Sequence, residues 1–126
     1  MITGAHFLLY SDDPSADRAF FRDVLGFRAV DAGEGWLIFA LPAAEMGVHP
    51  ANGTFVQRHA DHDLQGMLLY LMCDDLPASM AELRVRGVHC TAVQEAEWGR
   101  ATTIPLPSGG AIGLYQPTHP TALDDG

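Results

Sequence analysis

The side chains best suited to chemistry are scattered along this chain. A strand reading of residues 45–50 alternates Glu45, Gly47 and His49 onto one face, and the same alternation pairs Gly113 with Tyr115. Histidine titrates near neutral pH, so His6 and His49 are candidates for abstracting a proton next to a carbonyl. Tyr115 either donates a hydrogen bond to a ligand or packs with its hydroxyl at a rim. Trp98 either caps a site or packs, and Arg100, two residues on, either clasps an anion or lies on the surface. The run His59-Ala60-Asp61-His62-Asp63 has the composition of a metal site, but it falls in a polar stretch and reads as a solvated linker. Cys73 and Cys90 are far apart and outside any C-x-x-C spacing, which reads as two reduced, largely buried thiols.

Composition removes several classes of function. Sixteen acids stand against seven bases, a formal net charge of −9, which does not suit neutralisation of nucleic-acid phosphates. All seven bases are arginine, so mechanisms that need a lysine Schiff base or a phosphate-loop lysine are excluded. The N-terminus has no basic region of the signal-peptide kind, and no apolar run approaches a membrane span of about 18 residues. A cytoplasmic protein without a membrane or nucleic-acid partner is expected.

The elements that must position these residues repeat. AHFLLYSDDP (5–14) and MLLYLMCDDLP (67–77) are each an apolar run closed by two aspartates and a proline. A helix follows each. In the first, Asp13 is the N-cap, Pro14 opens the first turn, Ala16, Ala19, Phe20 and Val24 share a face, and Gly26 stops the helix. In the second, Leu76, Met80 and Leu83 form the stripe, Arg84 and Arg86 occupy the last turn, and Gly87 ends it. Short strands are then predicted at 27–30 and 88–93, at 35–42 and 100–107, and at 45–50 and 111–117. The order is β-α-β-β-β twice: module one over about 3–50, a linker at about 51–65 with an Asn-Gly turn signal, and module two over about 66–117. The tail, 118–126, is polar and expected to fray. One domain of 126 residues results, of α+β class.

His6-x6-Asp13 followed by FFRDVLGF (20–27) resembles the opening of vicinal-oxygen-chelate proteins, the superfamily of glyoxalase I, bleomycin-resistance proteins, fosfomycin-resistance enzymes and extradiol dioxygenases. The resemblance implies two tandem βαβββ modules whose curved mixed sheets enclose a cleft, commonly in a homodimer. In metal-dependent members it implies four ligands, from the first and last strands of each module, with open positions on the metal for vicinal substrate oxygens.

The resemblance, carried across the repeat, places those four positions at His6, Gly47, Leu68 and Gly113. Three of them cannot ligate, so no cofactor is expected, and the cleft is read as binding a small organic molecule through His6, Glu45, His49, Trp98, Arg100 and Tyr115. The alternative is a metal-dependent glyoxalase-like lyase, isomerase or extradiol dioxygenase. It would hold Zn, Ni, Mn or Fe at a displaced site of His6, Glu45 and His49, or use His6 and His49 as general bases. His6 and His49 also have plain structural readings, as a partly buried histidine and a strand-end residue.

Overall fold

The computed structural model describes residues 1–51, 53 and 55–123. The α+β class is found, with few helices and mixed sheets. The chain forms two compact units: residues 1–41 with 105–111, and residues 42–104 with 112–126.

In the first unit, helix α1 (Pro14–Asp23) begins where Asp13 Oδ1 accepts the Ala16 N–H at 3.3 Å. It ends as Phe27 N–H reaches back to Phe21 O, with Gly26 at φ +73° making the reversal that other residues resist. Its apolar face is broader than predicted. Phe20 is buried as expected, and Phe21 is buried too, with ring centroids 5.9 Å from Phe27 and 5.7 Å from Phe39. Asp17 is also buried, because its carboxylate accepts both the Ser108 N–H at 3.0 Å and the Ser108 hydroxyl at 2.7 Å. Strands β1 (Ala29–Asp31) and β2 (Leu37–Phe39) form an antiparallel pair.

In the second unit, the predicted linker is a hairpin instead. Strands β3 (Val56–His59) and β4 (His62–Gln65) pair with His59 opposite His62, and Ala60 and Asp61 turn the chain at φ +51° and +62°. That is the backbone of a primed two-residue turn, made without glycine and so without its usual sequence signature. The Asn-Gly signal read in the linker includes Asn52, which lies outside the described residues.

Strand β5 (Tyr70–Met72), helix α2 (Leu76–Val85), and strands β6 (Gln94–Ala96), β7 (Gly99–Pro105) and β8 (Ala111–Pro117) form the βαβββ run predicted for module two. The sheet order is β5-β8-β7-β6, with β5 parallel to β8 and β6 antiparallel to β7. Asp75 caps α2 by accepting the Ala78 N–H at 3.1 Å, and Gly87 closes it at φ +83°. Leu76, Leu83, Val88, Ile104, Ile112 and Leu114 are buried in this unit. Three strand predictions fail. Residues 88–93 precede the strand that actually forms, and 45–50 is irregular. The first apolar run, 5–11, is also irregular, and Phe7, Leu8, Leu9 and Tyr10 stay exposed.

Candidate functional site

Glycines shape the best-organised cluster of candidate residues. Tyr70 on β5 stands opposite Gly113 on β8 in the parallel ladder, and its ring lies across that glycine. A Cβ at position 113 would be 2.7 Å from Tyr70 Cγ and closer still to two other ring carbons. Gly99, at the start of β7, lies close to both the β8 backbone and Tyr115: a Cβ there would be 2.5 Å from Gln116 O and 3.1 Å from Tyr115 Cδ2. The two rings can therefore lie against sheet backbone, and Trp98 joins them. Centroids are 5.5 Å apart for Tyr70–Tyr115, 5.6 Å for Trp98–Tyr115 and 6.2 Å for Tyr70–Trp98, all edge to face. Tyr70 and Trp98 remain 42% and 45% exposed, so the cluster keeps aromatic surface available to a ligand.

A polar chain adjoins the rings. The Tyr115 hydroxyl is 3.1 Å from His119 Nε2, and His119 Nδ1 is 2.7 Å from Pro120 O. A carbonyl oxygen only accepts, so Nδ1 carries a hydrogen. In the neutral imidazole Nε2 is then the acceptor and Tyr115 the donor. Glu45 Oε2 lies 3.9 Å from Nε2, while Glu45 Oε1 accepts the Ala122 N–H at 2.8 Å. Burial, and secondarily the Glu45 charge, push the Tyr115 phenol above its ordinary range. Tyr115 is thus held as a neutral hydrogen-bonding group and is poorly suited to act as a phenolate base.

The predicted site residues separate. Glu45, Trp98 and Tyr115 meet in this cluster. His49 is exposed, its Nδ1 2.7 Å from Pro50 O, and because 45–50 is not a strand the expected alternation with Glu45 does not form. His6 is exposed in the irregular segment of the other unit. Arg100 Nε is enclosed and lies 3.2 Å from Glu95 Oε1 across the β6–β7 pair, while the side chain as a whole is 40% exposed. His59, Asp61, His62 and Asp63 lie on the exposed hairpin, where Asp63 pairs with Arg58 at 2.9 Å. Burial raises the pKa of both thiols, Cys73 and Cys90, which keeps them poor nucleophiles.

Sequence reasoning missed Tyr70 and His119. The tail expected to fray is tied down through residue 122. Thr118 N–H donates to Trp98 O at 3.0 Å, its hydroxyl donates to Glu97 O at 2.7 Å, and His119 and Ala122 make the contacts above. Residues 124–126 lie outside the described residues. One signal was available: His-Pro occurs at 49–50 and again at 119–120, and in both the ring nitrogen meets the following proline's carbonyl at 2.7 Å.

The donor chemistry does not fit the four-ligand metal set. Gly47 and Gly113 offer no side chain, Leu68 is apolar and 87% exposed, and the space beyond Gly113 holds the Tyr70 ring. Among the described residues no three His, Cys, Asp or Glu side chains are grouped to hold a metal ion. Nor, among them, is any helix long and apolar enough to cross a membrane.

The family model described as the glyoxalase/bleomycin resistance protein/dioxygenase superfamily matches residues 4–112. Among solved structures, the chain is similar to TnmS3, an antibiotic binding protein from Streptomyces sp. CB03234, with 26% identity and a TM-score of 0.61 over 94% of this chain and 99% of that one. It is also similar to a lactoylglutathione lyase from Agrobacterium tumefaciens, with 19% identity and a TM-score of 0.56 over 90% and 92%. A virulence protein from Salmonella typhimurium aligns with 18% identity and a TM-score of 0.55 over 94% and 100%. The last two likenesses are of fold. A search of curated proteins finds no match.

Proposed function

Because the chain belongs to the glyoxalase/bleomycin resistance protein/dioxygenase superfamily, we propose that it binds a small organic molecule and does so without the superfamily's four-ligand metal centre. The observation that carries this reading is the Tyr70–Trp98–Tyr115 cluster, aromatic surface directly beside a phenol–imidazole hydrogen bond. Ligand sites are typically apolar surfaces with a few fixed polar groups, and this cluster has both. The description of TnmS3 as an antibiotic binding protein, at 26% identity, supports binding as the activity. The displaced metal site draws no support. Glu45 already holds Ala122 N–H and faces His119, and His49 turns to its own proline carbonyl.

Ligand binding would work through the chain's own residues. Rings of Tyr70 and Trp98 supply contact area at small entropic cost, and Tyr115, oriented by His119, supplies a directional hydrogen bond. The chain pairs with a second copy in this reading, which would cover apolar side chains such as Phe7, Leu8, Val48 and Leu68.

The test is a thermal-shift screen of small aromatic and oxygen-rich compounds in EDTA, on the natural chain and on Trp98→Ala. Hits that stabilise the natural chain and bind Trp98→Ala about tenfold more weakly are expected, the scale for losing a well-packed aromatic contact. Hits insensitive to Trp98→Ala would refute this location of the site.

A further inference from the structure

The resemblance places a metal ligand at position 113, and here the position is glycine with an aromatic ring over it. The two facts are one arrangement. Tyr70 faces Gly113 in register, and even the first carbon of a side chain at 113 would collide with the Tyr70 ring. The ring is also wedged edge to face against Tyr115 and Trp98, so it has no free retreat into the sheet side of the cluster. Its other side is open, since Tyr70 is 42% exposed.

We infer that Tyr70 is the specificity-determining residue of this site: lying across Gly113, it takes the space a ligating carboxylate would need and offers an aromatic face in its place. The inference rests on the small-molecule reading above and narrows it. The half of the site built on β5 and β8 is closed to a cation held from position 113, and it selects a ligand bearing a flat ring. Exchange back to a carboxylate would require two changes, at 70 and at 113, because either residue alone is shaped by the other.

The experiment uses the full chain in four forms: natural, Gly113→Ala, Tyr70→Ala and the double variant, with Tyr70→Phe as the conservative control. Two readouts are taken, thermal midpoint and calorimetric titration with 2-naphthol as the ring probe. Gly113→Ala is expected to lower the midpoint by about 5 °C in the natural chain and by about 1 °C or less in the Tyr70→Ala background. Tyr70→Ala is expected to weaken 2-naphthol binding about fivefold, with Tyr70→Phe restoring it. An equal effect of Gly113→Ala in both backgrounds would overturn the exchange. Unchanged 2-naphthol affinity in Tyr70→Ala would overturn the role of Tyr70 in selection. Coupling between 70 and 113 with no 2-naphthol binding to the natural chain would support the exchange and sink the ring-binding reading.

Discussion

Gly47 and Gly113 are matched positions of the internal repeat, and they are glycine under opposite circumstances. Around Gly113 the chain is a paired strand, and a Cβ would run into the Tyr70 ring. Around Gly47 the chain is irregular, and a Cβ would meet nothing within 4 Å. The neighbouring segments differ in the same way. Residues 70–72 sit in a parallel ladder with 113–115, while 5–11 and 45–50 form no strand. One absence of a carboxylate is enforced by a packed aromatic ring, and the other is merely permitted. A missing metal ligand therefore carries information only when the surroundings show what stands in its place.

The largest effect expected from this contrast comes from introducing glutamate at each position. Gly113→Glu should destabilise by about 3 kcal/mol, or leave little folded protein, because the Tyr70 ring packed across the glycine must move and a carboxylate enters beside aromatic faces. Gly47→Glu should change stability by about 0.5 kcal/mol or less. Paired denaturant titrations check both, and comparable losses would erase the distinction.

Next in size is Asp17→Ala, which removes the acceptor of the Ser108 N–H and hydroxyl. A loss of about 2 kcal/mol is expected, since it strands part-buried donors. The same titration measures it. A change near zero would mean that the turn at 106–110 holds itself.

The smallest effect concerns Tyr115. Its folded-state pKa is raised, by burial first and then by Glu45. Its contribution to stability is therefore complete below the ordinary tyrosine range and is lost as pH rises through the higher folded value. Ultraviolet titration should show one of the three tyrosines ionising later than the others, and Tyr115→Phe should remove that late phase. Three tyrosines titrating together would contradict the environment described for it.

The legible parts of the fold were those with a local physical signature. Asp13 and Asp75 cap helices, Gly26 and Gly87 end them, and strand β8 forms over the residues read for it. Failures came where the deciding force is not local. Residues 5–11 and 45–50 have strand patterning, yet a strand needs a partner edge, which patterning does not guarantee. The hairpin at 56–65 turns on Ala60 and Asp61, a pair without the Asn-Gly or Asp-Gly signature of such turns. The site was half legible. Glu45, Trp98 and Tyr115 stand out by residue type and strand position, whereas His119 lies in a polar tail and Tyr70 inside an apolar run that reads as core. Strand alternation placed Tyr115 beside Gly113 correctly. It could not show that Tyr70 would lie across that glycine, because the β5–β8 register is a tertiary fact.

The most direct test of a metal-independent binding site is elemental analysis of the purified full chain after mild chelation, paired with its thermal midpoint in EDTA. Well under one equivalent of Zn, Ni, Mn or Fe and an unshifted midpoint are predicted, since a resident metal contributes to folding free energy. A stoichiometric transition metal that survives mild chelation, with a midpoint that falls when stronger chelation strips it, would contradict the account.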